Sequence, residues 1–225
     1  MNDEAALKDI QSGLTNRTNC RGGFNNVFKH LREQWFWSMN MNVTVLVLAA
    51  GKGMRFASSG GHTHKLQALL AGKPVMSHVL EAVEKAGLQC YVVSPAGAET
   101  EGMGDSIACG VRSTQGAAGW LILPADMPLV CSTTLRAVAQ ALITDEPYQA
   151  VVPYWEQRQG HPVAFAASCA EALLGLRGDQ GARSVLQALD SQGQVKALLV
   201  DDPGIVHDID TLEDLQRAEL WLSTH

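Results

Sequence analysis

From Met41 onward, short runs of β-branched and aliphatic residues alternate with stretches whose apolar positions recur every three or four residues. That pattern predicts strands buried on both faces alternating with amphipathic helices. Val43 to Leu48 forms the first predicted strand. A glycine-rich loop follows, then Val75 to Ala86 carries helical spacing that stops at Gly87, and Gln89 to Val93 predicts the second strand, completing a βαβ unit. Beyond it the spacing predicts a helix over Asp105 to Val111, a strand over Trp120 to Leu123, a helix opened by Ser132 or Thr133, and a strand over Ala150 to Pro153. Val163 to Phe165 and Val195 to Val200 read as further strands. Cys169 to Leu174 and Ala182 to Leu189 read as short helices, and a closing helix follows Asp210. No internal repeat interrupts the alternation. The expected class is α/β, with a mostly parallel, doubly wound sheet in one domain over residues 41–225.

Residues 1–40 differ from this pattern. They are rich in Asn, Arg and Gly around NRTNCRGGFNN and end in LREQWFWSMN, and they are expected to be an extension, poorly ordered or lying upstream of a start at Met39 or Met41. Trp35, Phe36 and Trp37 there could dock a partner or cover local surface.

Composition narrows the function classes. The 225 residues are 46% hydrophobic and 18% charged, enough for one sizeable core. A formal charge of -6 and a pI near 5.6 argue against a polyanionic partner such as DNA. The five cysteines have no C-x-x-C spacing, so neither a zinc cluster nor a disulfide framework is suggested. The acidic start MNDEAALKDI lacks an apolar signal region, and the longest apolar run, Val45 to Ala50, is far short of a membrane span. A cytoplasmic protein without nucleic-acid or membrane partners is the expectation.

The strongest chemical signal is LAAGKGMRF, Leu48 to Phe56, followed by Lys65. Gly51 and Gly53 let the backbone approach a phosphate, and Lys52, Arg55 and Lys65 can neutralise its charge. The Walker loop requires a different spacing, and the dinucleotide loop requires a third glycine where Phe56 stands. A strand-to-helix turn alone would explain the glycines but not three basic residues at a strand's carboxyl end, where open α/β sheets bind ligands. In LPADMPLV, Asp126 sits just past a hydrophobic strand, where a carboxylate can hold Mg²⁺ or cap the next turn. In HDIDTLEDL, Asp210 with Glu213 matches an N-cap pattern, which makes Asp208 the better candidate to join Asp126 on a metal, with Asp210 the alternative second ligand.

Weaker signals remain. GMGDS offers Gly104, Asp105 and Ser106 at a helix start, which can cap itself or donate N–H groups to a ligand. His161 in GHPV and Arg183 in GDQGAR stand beside glycine and proline turns and suit surface or binding roles alike. His62 and His64 have metal-compatible spacing, yet their polar, glycine-rich setting suggests a solvated loop.

LAAGKGMRF, Lys65, GMGDS, LPADMPLV, GHPV, GDQGAR and DIDTLEDL occur in the order found in the molybdenum-cofactor nucleotidyltransferases, and the chain most resembles their cytidylyltransferase (MocA-like) branch from about Val43 to Leu220. The resemblance implies a single Rossmann-like domain that transfers CMP from CTP to the terminal phosphate of molybdopterin and releases pyrophosphate. It also implies Mg²⁺ on Asp126 and Asp208, and base and triphosphate held by Leu48, Ala49, Ala50, Gly51, Lys52, Gly53 and Arg55. Lys65 would neutralise phosphate charge, while Gly104, Asp105, Ser106, His161, Asp179 and Arg183 would face pterin or nucleotide. The Ala49-Ala50-Gly51 opening is similar to the cytidylyl branch, whereas the guanylyl branch opens with more glycine. The bridge Ala57 to His64 is longer and more polar than is usual there. Competing readings are a GTP-using molybdopterin enzyme, another cytidylyltransferase, and a non-catalytic cofactor carrier delivering to a recipient molybdoenzyme.

Overall fold

The aliphatic alternation builds a sheet whose two faces are both covered. The computed structural model describes residues 42–51, 53–94, 102–145 and 147–224, so the expectations for residues 1–40 and for Lys52 lie outside the described residues. Chain contacts separate residues 1–40 from residues 41–225, and all that follows concerns the second unit.

Strand β1 (Val43–Leu48) lies at the centre-left of the sheet, flanked in parallel by β4 (Gln89–Val93) and β5 (Gly119–Pro124). The sheet continues through β8 (Val163–Ala166), antiparallel to β5, and then β6 (Ala150–Trp155), antiparallel to β8. Strand β9 (Val195–Leu199) pairs in parallel with β6, and β7 (Arg158–Gln159) folds back on β6 as a hairpin. The expected mostly parallel sheet is therefore present, with β8 reversed inside it. A separate two-stranded hairpin joins β2 (Leu69–Leu70) to β3 (Lys73–Pro74). Its two-residue strands are too short to leave a periodic signal.

Alternation along β1 and β5 sends side chains to opposite layers. Val43, Val45, Val47, Leu121 and Leu123 pack against α2 (Val75–Ala86) and α4 (Ser132–Thr144), with the closing helix α7 (Leu212–Thr224) contributing Ala218. Leu46, Trp120 and Ile122 face the other layer, formed by α3 (Met103–Ser113), α5 (Ala170–Leu174) and α6 (Arg183–Asp190). The remaining short helix, α1 (Met54–Ser58), sits in the loop after β1 and buries Phe56. Helix α2 ends as expected at Gly87, whose φ of 70° is the left-handed conformation that closes a helix. Pro153 stands inside β6 because the ladder to β8 stops at Val151, so its missing N–H costs no bond there.

Helix α4 begins at Ser132, as expected, with no side-chain cap from Ser132 or Thr133. Asp202, from the distant segment after β9, instead accepts hydrogen bonds from Cys131 N and from the Thr134 hydroxyl. Helix α7 is capped by Thr211 rather than Asp210: Thr211 Oγ1 accepts from Asp214 N, while Asp214 Oδ2 accepts from Thr211 N. This is a reciprocal capping box one residue later than expected. It leaves the Asp210 side chain available for other work.

Among the described residues no helix is long and apolar enough to cross a membrane. Cys90, Cys109, Cys131 and Cys169 are free thiols.

Candidate active site

The carboxyl edge of the sheet places the first two motifs side by side. Leu48 is in register with Pro124 on one side and Val93 on the other. The ladders extend one residue further, with Ala49 N donating to Val93 O and Ala125 N to Leu48 O. The loop after β1 and Asp126 after β5 are consequently neighbours. Gly53 takes φ 62° to turn the chain into α1, a conformation that favours glycine. A side chain at Gly51 would meet open space among the described residues, so the room it leaves belongs to the adjoining cavity. That cavity, about 420 Å³, is walled by Leu48, Ala50, Gly51, Lys65, Asp126 and Ser106, with Asp179 and Met103 also on its lining.

Lys65 anchors the electrostatics. Its side chain is only 11% exposed, and its ammonium donates to Asp126 Oδ2 at 2.6 Å and to Asp210 Oδ1 at 2.7 Å. The other oxygen of Asp210 accepts from Arg55 at 2.7 Å. Burial by itself would lower the lysine pKa, yet the two carboxylates outweigh it and hold it above the ordinary lysine value. Conversely, the Lys65 hydrogen bond, with Arg55 assisting, holds the Asp210 carboxyl below the usual aspartate range despite its partial burial. Asp126 Oδ1 is buried and has no hydrogen-bond partner. A buried carboxylate oxygen left open in this way suits a hard cation. Among the described residues, no cluster of three His, Cys, Asp or Glu side chains gathers around a common point. The donor set therefore fits a magnesium-type ion held by one or two carboxylates plus substrate oxygens, rather than a zinc cage.

A second cavity, about 530 Å³, opens on the other side of Met103, which lines both. It is mainly apolar, with His161, Gln159 and Arg183 as convergent polar groups. Burial pushes the His161 pKa down, with the Ile122 carbonyl and the charges of Asp126 and Asp208 opposing it too weakly to prevail. The imidazole is therefore neutral near pH 7. The loops bearing GMGDS and GDQGAR form one unit here: Gly104 N donates to Gly178 O at 2.7 Å, and Asp105 Oδ2 accepts from Gly178 N at 2.8 Å. A Cβ on Gly104 would lie 2.5 Å from the Gln180 carbonyl, and one on Gly102 would collide with the Gly178 backbone. These glycines are required for loop-on-loop contact.

The sequence-predicted residues thus separate into groups. Leu48, Ala50, Gly51, Lys65, Ser106, Asp126 and Asp179 meet at the smaller cavity, and His161 and Arg183 at the larger. Ala49 is buried among core residues. Gly104 is buried in α3, and Asp105 spends its carboxylate on Gly178 rather than facing either cavity. Arg55 is an exposed side chain tied to Asp210. Asp208 is exposed on a third hollow with Arg158, His207 and Trp221, close enough to His161 for its charge to be felt. Ile209 N donates to the Asp126 carbonyl at 2.8 Å, so Asp208 and Asp210 flank a residue fastened to Asp126.

The sequence did not show the ion pairs of Asp210 or the bracing role of His64. Asp210 looked like a helix cap, and only the spacing of Thr211 with Asp214 could have shown otherwise. His64 Nε2 lies 3.0 Å from Gly51 O, which can only accept, so that nitrogen carries the proton and braces the loop, while Nδ1 receives the Leu66 N–H. The expected solvated loop therefore contains a structural histidine.

A sequence profile of the MobA-like NTP transferase domain matches residues 45–194. The chain belongs to that family. The matched segment contains the loop, Lys65 and Asp126 but stops short of Asp208 and Asp210. The chain is 32% identical over 125 residues to the purine catabolism protein PucB of Bacillus subtilis, an alignment taking in 55% of this chain and 58% of PucB. It therefore spans under two thirds of that curated relative. The fold is similar to a nucleotidyl transferase from Methanothermobacter thermautotroptrophicus, with a TM-score of 0.67 at 23% identity over 83% of this chain and all of that one. It is also similar to Rv0371c from Mycobacterium tuberculosis, with a TM-score of 0.61 at 21% identity over 79% of this chain and 97% of that one. Molybdopterin-guanine dinucleotide biosynthesis protein A from Archaeoglobus fulgidus gives a TM-score of 0.55 at 20% identity, covering 81% of this chain and all of that one.

Proposed function

We propose that this MobA-like transferase moves CMP from CTP to the terminal phosphate of molybdopterin, forming the cytosine dinucleotide and pyrophosphate with Mg²⁺ as the cation. The observation that carries the transfer chemistry is Asp126: a carboxylate with one buried, unpartnered oxygen, its other oxygen on Lys65, at the edge of a cavity walled by the glycine loop. The CTP preference rests on the resemblance of Ala49-Ala50-Gly51 to the cytidylyl opening. The molybdopterin acceptor rests on the ordered motifs, and the neighbouring mainly apolar hollow with His161 and Arg183 has room for a planar heterocycle.

In this reading the smaller cavity takes the nucleotide and the larger the pterin, with Met103 at their junction. The acceptor's terminal phosphate, with a second pKa near about 6, is already ionised at neutral pH and needs no protein base. One of its oxygens attacks the α-phosphorus, a new P–O bond forms, and the bond to the pyrophosphate leaving group breaks. Asp126 would hold the magnesium ion, with Asp208 or Asp210, the two carboxylates flanking the residue fastened to the Asp126 carbonyl, as its second ligand. The ion would supply charge neutralisation at the phosphate oxygens. Lys65 and Arg55 supply positive charge beside the triphosphate, and the loop backbone positions it. The protein's contribution is orientation and electrostatics.

The test is to incubate the purified chain with each nucleoside triphosphate in turn, magnesium and molybdopterin, and to identify the product by mass. A CMP-bearing product is expected. A GMP-bearing product overturns the base assignment, and cofactor binding without nucleotide consumption identifies a carrier instead.

A further inference from the structure

Arg55 and Lys65 stand at the two ends of the long, polar segment that distinguishes this loop, and a single side chain bridges them. Asp210 uses both carboxylate oxygens, Oδ1 on Lys65 at 2.7 Å and Oδ2 on Arg55 at 2.7 Å. The same turn receives a second tie from the loop, where Leu212 N donates to Ser59 Oγ at 3.0 Å. From this geometry we infer that Asp210 is a positioning residue for the transfer reaction, holding Arg55 and Lys65 in one array beside the nucleotide cavity.

Stability alone is a poor explanation for the contact. The Arg55 side chain is 81% exposed, and ion pairs at so exposed a site add little to folding stability. What the contact does accomplish is orientation. Arg55 has a long side chain at the surface, and Asp210 restricts it to one direction. Lys65 shares its ammonium between Asp210 and Asp126, so whenever a phosphate or cation claims Asp126, Asp210 still fixes the lysine. The four side chains carry two positive and two negative charges, so the array is neutral before a ligand arrives.

That neutrality separates positioning from simple charge. Deleting a carboxylate beside a polyanionic substrate should tighten, or at least preserve, ground-state binding by Coulomb's law. Loss of a positioning group should lower kcat regardless. The kinetic arm rests on the nucleotidyl-transfer reading, so a second arm uses no substrate. Asp210→Ala and the isosteric Asp210→Asn would be compared with the wild-type chain by steady-state pyrophosphate release and by amide hydrogen exchange across residues 54–64. We expect kcat to fall at least about fivefold with nucleotide KM no higher than wild type. In a background that lacks both partners, Arg55→Ala with Lys65→Ala, Asp210→Ala should lower kcat less than about twofold further, because the aspartate acts through those two side chains. Exchange across 54–64 should accelerate at least about fivefold without ligand. A smaller loss of kcat overturns the inference, as do a further loss from Asp210→Ala in the background lacking Arg55 and Lys65 or unchanged exchange. Faster exchange in a protein whose wild type turns over no nucleotide would leave the array intact and remove the transfer reading.

Discussion

Asp126 concentrates the chemistry in one side chain: one oxygen satisfied by Lys65 and the other buried without a partner. In the proposed reaction, replacing it with alanine removes the carboxylate assigned to the cation, and it leaves the Lys65 ammonium with Asp210. Loss of one such preorganised contact costs about 3 kcal/mol, roughly a hundredfold in rate, and loss of the ion as well should exceed that. Asp126→Ala is expected to abolish CTP-dependent pyrophosphate release at saturating Mg²⁺, and wild-type turnover in that variant would disprove the metal assignment. Cys131 makes a separate test of the electrostatics. Burial, the charge of Asp202 and a hydrogen bond to it push the thiol up to about 11, against an ordinary value near about 8.5. Since the thiolate is the reactive form, brief alkylation at pH 8 should leave Cys131 unmodified when sites are mapped by mass. Rapid labelling there would contradict the Asp202 contact.

Helix α7 shows how a cap and a functional residue can be confused. The run D-T-L-E-D offers two capping registers, and the chosen one uses Thr211 with Asp214, which also accepts from Asp210 N. Partial burial would raise the Asp214 carboxyl, but hydrogen bonds from Thr211, Arg217 and Asp210 hold it below the usual aspartate range. A carboxyl depressed in the folded state stabilises the fold above its unfolded pKa near about 3.9, and that contribution is lost as pH falls through the folded value. Asp214→Ala should therefore cost about 1 kcal/mol at pH 7 by denaturant titration, a cost that shrinks as pH falls below the unfolded aspartate value of about 3.9 and through the lower folded one. A cost independent of pH would show that the carboxylate charge is not what matters.

Across the whole molecule, the strands and long helices were legible because their hydrophobic periods are strong, and β1, β4, α2 and β5 fall within a residue or two of expectation. The reversal of β8 was not legible, because a strand buried on both faces reads the same in either direction. The site was legible where glycine and charge coincide, as at Gly51, Lys65 and Asp126. It failed where one residue had two local explanations, as at Asp210, His64 and Asp105. Asp202 was missed for another reason: its partners Cys131 and Thr134 lie about seventy positions away, beyond any local pattern. It is 2% exposed and also accepts from Gly204 N. Asp202→Ala should cost about 3 kcal/mol in unfolding free energy, since it strands a buried hydroxyl and two amides, and a cost under about 1 kcal/mol would refute that account. The contact between the 102–104 and 178–180 backbones acts at the same scale. Two segments 73 positions apart share one surface with no space for a single added carbon on Gly104. Neither can be lengthened, recoded or grafted from a relative alone. A change to either backbone, by mutation over generations or by an engineer's chimera, must carry both loops together as one heritable cassette.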